Sequence, residues 1–124
     1  MARLGQLERR VMDVLWSSPA GGLTVREVGA QLPDHAYTTV LTVLDRLHRK
    51  DVVRRTRDGR AHRYTPVASR EAYTAELMHE ALGTSPDRGA VLVRLAETVD
   101  PADAAALRQA LGDLDRMSPA GRGR

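Results

Sequence analysis

Apolar positions in the first third of the chain repeat with the period of a helix. Leu4, Leu7, Val11, Val14 and Leu15 fall on one face, with Glu8 placed to reach back to the helix start, and Ser18-Pro19-Ala20-Gly21-Gly22 ends the run after about three turns. Thr24-Val25-Arg26-Glu27 has the form of a capping box. Val25, Val28 and Leu32 give a short second helix its apolar face, closed by Pro33. From Ala36 to Lys50 a third helix is predicted, with Ala36, Val40, Val43, Leu44 and Leu47 on one side and Thr38, Leu41, Thr42, Asp45 and Arg49 on the other. The break Pro33-Asp34-His35 is brief, so helices two and three must meet at a steep angle, as in a helix-turn-helix.

After Lys50 the period changes to two, along VVRRTRDGRAHRYTPV. Asp58-Gly59 is a type I′ hairpin signal that sets Arg57 opposite Arg60, Arg55 opposite His62 and Val53 opposite Tyr64. Val52, Val53, Tyr64 and Val67 can pack at the hairpin root, whereas the tip is arginine-rich on both faces. Such a ribbon directly after the third helix is the wing of a winged helix. Beyond Pro66 the pattern is helical again. Ser69 caps a helix from about Arg70 to Leu82; Ser85-Pro86 opens a second with Val91, Leu92, Leu95, Ala96 and Val99; Asp100-Pro101 opens a third with Leu107, Ala110, Leu111, Leu114 and Met117. These stripes span about 45 residues, too few to close a core alone. A second copy of the chain is the economical cover, through Leu77, Val91, Leu92, Leu95, Leu107, Leu111 and Leu114.

The expected class is therefore mainly α with a small β-hairpin: a winged helix-turn-helix domain over 1–67, a helical dimerisation region over 68–117, and a disordered tail over 118–124. Residues 1–67 are expected to fold alone.

The polar face of the third helix departs from that of an ordinary solvated helix. Glu and Lys pairs are the usual filling, yet Thr38, Thr39 and Thr42 stand here although Thr is a mediocre helix former. Short hydroxyl and methyl groups suit base edges in a major groove, while Arg46, Arg49 and Lys50 can reach phosphates. Charge placement agrees. Residues 1–67 hold 12 Lys and Arg against 7 Asp and Glu, and residues 46–63 hold 8 against 2; arginines crowded on a turn, such as Arg57 and Arg60, repel one another and favour an anionic partner. The net charge of +3 conceals this clustering.

Other chemistry is poorly provided for. With no cysteine there is no disulfide, thiolate metal site or cysteine nucleophile. His35, His48, His62 and His79 stand singly, without metal-ligand spacing, and neither a phosphate-binding glycine loop nor a catalytic constellation occurs, so no cofactor, metal or enzymatic activity is expected. Trp16, Tyr37, Tyr64 and Tyr73 are the only aromatics, too few for stacking along single strands. No apolar run approaches 18 residues and the start MARLGQLERR is polar, which points to a cytoplasmic protein without membrane insertion.

The strings LERRVMDVLW, TVREV, AYTTVLTVLDRLHRKDVV and RAHRYTPV, in this order, resemble the BlaI/MecI/CopY family of bacterial repressors, most nearly its actinobacterial BlaI-like members, from about Leu4 to Met117. The resemblance implies a homodimeric repressor on an inverted-repeat operator upstream of resistance or stress genes. It implies that Thr38, Thr39, Leu41 and Thr42 face bases, while Arg46, Arg60 and Arg63 hold the backbone. Relatives carry basic side chains where Thr38 and Leu41 stand, so more methyl contacts are expected here. Family members are inactivated by cleavage in the dimerisation region, triggered by a membrane sensor protease; the matching bond in GAVLVRLAET is Arg94-Leu95, where staphylococcal-type members have Asn-Phe. The paired Cys-x-Cys motifs of copper-responsive members are absent. Two other readings stay open: a winged-helix regulator relieved by a small ligand, and a winged-helix module for protein assembly.

Overall fold

The computed structural model describes residues 3–117; the tail expected over 118–124 lies outside them. The chain divides into two compact units, Met1–Glu80 and Ala81–Arg124.

In the first unit, α1 (Gln6–Trp16) begins as its sequence suggests, with the Glu8 Oε1 accepting from the Gly5 N–H at 2.7 Å. Val11, Met12 and Leu15 are buried, and Leu4, Leu7 and Val14 pack partly against the same core. The α2 helix (Val25–Ala30) carries the full capping box: the Glu27 N–H donates to Thr24 Oγ1 at 3.2 Å and the Thr24 N–H to Glu27 Oε1 at 2.9 Å. From α3 (Tyr37–Arg49), Val40, Val43, Leu44 and Leu47 enter the core as their spacing dictates, whereas Ala36 is the exposed N-cap. A Schellman turn ends the helix. Asp51 takes φ 62, its N–H donates to the His48 carbonyl and the Val52 N–H to that of Leu47, with Val52 and Leu47 both buried.

A three-stranded antiparallel sheet closes the domain in the order β1-β3-β2, from β1 (Leu23–Thr24), β2 (Val53–Asp58) and β3 (Ala61–Pro66). The strand β1 leaves no periodic signal because it has two residues. The hairpin register differs from the one expected. Asp58 pairs with Ala61, Arg57 with His62, Arg55 with Tyr64 and Val53 with Pro66. The two loop positions are thus Gly59 and Arg60, with only Gly59 at positive φ (+64), which is the type II′ pattern. A type I′ turn on Asp58-Gly59 would need positive φ at Asp58 too. Because the slip is two residues, every side chain keeps its face. Tyr64 still points inward, 1% exposed, with Leu23 opposite it across β1.

The first unit extends beyond the boundary expected at residue 67. α4 (Arg70–Gly83) is capped by Ser69, whose Oγ accepts from the Ala72 N–H at 3.0 Å. Its Tyr73 is buried: the hydroxyl accepts from the Leu4 N–H at 3.2 Å, and the ring lies 5.5 Å from that of Trp16. Arg9 sits over both rings and Arg70 over Trp16, while the Trp16 indole N–H donates to the Ala68 carbonyl at 2.9 Å. A fragment ending at 67 removes this whole anchor; one ending at 80 keeps it. Leu77, expected in the dimerisation seam, is half-buried and belongs to this first unit.

In the second unit, α5 (Arg88–Thr98) is capped by Asp87, whose Oδ1 accepts from the Ala90 N–H at 3.0 Å, and α6 (Pro101–Met117) follows. Neither helix has a buried residue. Val91, Leu92, Leu95, Leu107, Leu111 and Leu114 are each between 40% and 60% exposed.

Candidate nucleic-acid interface

The outward side of α3 exposes Thr38, Leu41 and Thr42, with Thr39 half-buried beside them and Tyr37 standing 53% exposed at the helix start. The Thr42 hydroxyl donates to the Thr38 carbonyl at 2.8 Å. Its proton is thereby occupied within the helix, and Thr42 presents outward a methyl group and an acceptor. Thr38, Thr39 and Thr42 line a shallow cavity of about 290 Å³ with Leu7, Val43 and Arg46, on the flank of α3 that faces α1.

Geometry divides the basic side chains into two sets. Lys50 was expected to meet phosphates, but its ammonium lies 2.9 Å from both oxygens of Glu8 and 3.5 Å from the Arg3 carbonyl. Arg63, expected to do the same, is held by Asp58 at 2.7 Å, Glu27 at 3.4 Å and the Gly22 carbonyl at 3.1 Å. These two belong to the internal ion pairs of the fold, as does Arg55 with Asp45 at 3.2 Å. Arg46, Arg49, Arg54, Arg57 and Arg60 are exposed and make no ion pair among the described residues. Of the expected backbone set, Arg46, Arg49, Arg57 and Arg60 therefore remain available. The sequence signalled that Glu8 needs a partner, since it lies within the buried stripe of α1, but not that the partner is Lys50.

Electrostatics at Glu8 follow from that position. Burial pushes its carboxyl up, but the Gly5 N–H, the Lys50 ammonium and the charge of Arg46 outweigh burial and hold the group below its ordinary 4.5. A depressed carboxyl stabilises the fold above its unfolded value, and the contribution is lost as pH falls through the folded value. Lys50→Ala is expected to lower stability at pH 7 by about 1–3 kcal/mol, since Glu8 keeps a single donor. Urea unfolding at neutral and acid pH checks this. The parent chain should lose stability on acidification and the variant distinctly less; equal losses would dissociate the effect from this pair.

Arg63 also carries a consequence for its neighbours. The Glu27 carboxyl is lowered by its bond from the Thr24 N–H and by the charge of Arg63, and Arg63 is itself raised by Asp58 and Glu27. The acids nearest the wing are thus already neutralised from within the protein. Among the described residues no three His, Cys, Asp or Glu side chains gather as a metal site would need, and no helix is long and apolar enough to cross a membrane.

The family model of the penicillinase repressor matches residues 4–113. The chain belongs to the penicillinase repressor family. Two relatives named transcriptional regulator BlaI, from Mycobacterium tuberculosis strains CDC 1551 / Oshkosh and ATCC 25618 / H37Rv, are each 49% identical over 121 residues, covering 93% of this chain and 87% of theirs. The family is one of transcriptional regulators and not of enzymes. Among solved structures, MepR, a transcription regulator of the Staphylococcus aureus multidrug efflux pump MepA, superposes with a TM-score of 0.51 at 17% identity, covering 90% of this chain and 77% of that one. A MepR–DNA complex gives 0.51 at 19% identity over 78% and 82%. A MarR family protein from Bacillus stearothermophilus gives 0.50 at 20% over 94% and 76%. These likenesses establish a winged-helix fold for this member of the penicillinase repressor family.

Proposed function

We propose that this chain is a sequence-specific DNA-binding repressor that acts as a homodimer on an inverted-repeat operator of resistance or stress genes, with α3 in the major groove. The observation that carries the reading is the pairing of an exposed threonine-and-leucine face on α3 with flanking arginines that make no ion pair among the described residues, while neighbouring Lys50 and Arg63 are held in ion pairs of the fold. Support comes from the solved MepR–DNA complex, which shares the fold, and from the regulators of M. tuberculosis that share 49% of the residues. In this reading Thr38, Thr39, Leu41 and Thr42 meet base edges, and Arg46, Arg49, Arg57 and Arg60 meet phosphates.

Homodimerisation is supported by the apolar faces of α5 and α6, on which no residue is buried. Relief of repression by a membrane sensor protease would act there. The Arg94–Leu95 bond lies in α5, with the Arg94 side chain 83% exposed, and cutting it divides one of the apolar faces.

Salt titration of duplex binding tests the proposal. A polyanion-binding surface gives a log-log slope near −0.9 for each phosphate neutralised, whereas a protein-assembly module gives a flat response. Arg46→Ala is expected to weaken all duplexes alike and to reduce the slope by about 1.8, since each copy of the homodimer loses one phosphate contact. Thr42→Ala removes a methyl and an acceptor, so binding-site selection should show preference relaxed at one base pair by about 1 kcal/mol. A uniform loss across sequences for Thr42→Ala would remove that residue from the base-reading set.

A further inference from the structure

The flank of α3 that faces the wing holds a second cavity, of about 330 Å³, lined by Thr24, Val25, Arg26, Tyr37, Leu41, Arg60, Ala61, His62 and Tyr64. Beside the hydroxyls of Thr24 and Tyr64, four of these can donate hydrogen bonds into it: the guanidinium groups of Arg26 and Arg60, the Tyr37 hydroxyl and a ring N–H of His62. None of the four side chains has a hydrogen-bond or ion-pair partner among the described residues. Glu27 and Asp58, neighbours in sequence of Arg26 and of the wing turn, do not line the cavity and are held by Arg63. Three protein elements, α2, the start of α3 and the wing, thus converge cations and donors on one space that no carboxylate of the described residues lines.

We infer that this cleft seats a backbone phosphate of duplex DNA, and that it grips the strand opposite the one approached by Arg46. The inference rests on the reading of α3 as a groove-bound helix. A helix lying in a major groove about 12 Å wide has one sugar-phosphate backbone on each side. Here the Thr38–Thr42–Arg46 cavity lies on the α1 flank and the Arg26–Arg60 cavity on the wing flank. Leu41 lies in the second cavity, so the base-facing ridge and this phosphate seat share a wall. Arg26 and Tyr37, which the charge cluster of residues 46–63 does not include, then become positioning residues for the operator.

Binding of the full chain to a random-sequence duplex across a salt series tests the cleft. Arg26→Ala should reduce the slope by about 1.8, as Arg46→Ala does, because both copies of the dimer lose a contact, and Arg26→Lys should restore most of it. Arg88→Ala is the charge-matched control, being exposed on α5 without an ion pair among the described residues; it should leave the slope unchanged. Phosphate-ethylation interference on a duplex recovered by binding-site selection reads the geometry. Within each half-site, Arg26→Ala should abolish interference at one phosphate on one strand, and Arg46→Ala at a phosphate on the other, with the symmetry-related pair in the second half-site. An Arg26→Ala slope equal to that of Arg88→Ala, or both phosphates of a half-site on a single strand, would overturn the seat while leaving the repressor reading intact. A flat salt response of the unaltered chain would overturn the repressor reading itself.

Discussion

Gly22→Ala is expected to destabilise the first unit by about 3 kcal/mol, through an unfavourable backbone conformation and a steric clash together. Gly22 has φ +78, where an L side chain is disfavoured, and a Cβ built there would stand 2.4 Å from the Tyr64 carbonyl oxygen and 2.6 Å from the Thr65 methyl. The carbonyl is fixed by the pairing of Leu23 with Tyr64, so it cannot retreat without opening the β1–β3 ladder. The Gly22 carbonyl also receives Arg63, so a shift there would loosen the wing. For a domain of this size the loss corresponds to a fall in the melting temperature of about 12–24 °C. Gly59→Ala is the comparison. It has a similar φ, +64, but open space around its Cβ, and should cost only about 1–2 kcal/mol. Thermal melts of both variants decide the matter, and equal destabilisation would show that crowding against Tyr64 contributes nothing.

Leu111→Asp is expected to convert the protein to a monomer and to lower affinity for an inverted-repeat duplex by two to four orders of magnitude, about the gain from linking two half-site contacts. Leu111 is 57% exposed on α6, close in sequence to Leu107 and Leu114, which are comparably bare. If a second copy covers this face, an added carboxylate meets an apolar seam with no counter-ion, which costs several kcal/mol. The core of the first unit contains no residue of α6, so unfolding followed by Trp16 fluorescence should be unchanged. Sedimentation at micromolar concentration gives the result, and a variant still dimeric would remove Leu111 from the seam.

Much of this architecture was legible along the chain because it is local. Each stripe of α1, α2 and α3 follows from side-chain spacing on a single helix, and the core residues Val11, Leu15, Val28, Val40, Val43, Leu44 and Leu47 can be named from that spacing alone. The Thr24–Glu27 box and the change to a two-residue period after Lys50 are equally local. The exposed face of α3 could be named too, since it is the complement of the buried stripe.

What the sequence by itself determined, then, is which helices and strands form, which faces are apolar, and that basic side chains crowd around α3 and the wing. Tertiary structure decided which of those charges are free. Lys50 finds Glu8 42 positions away and Arg63 finds Glu27 36 positions away, pairings that no local pattern encodes. Only folding revealed that Arg26 joins Arg60 across a cavity, that Tyr73 docks on Trp16 and carries the first unit to Glu80, and that the hairpin turns on Gly59-Arg60. The physical reason is common to all of these. Local spacing sets the direction of a side chain from its own helix or strand, but whether it is neutralised, buried or left for a partner depends on what distant segments bring to meet it.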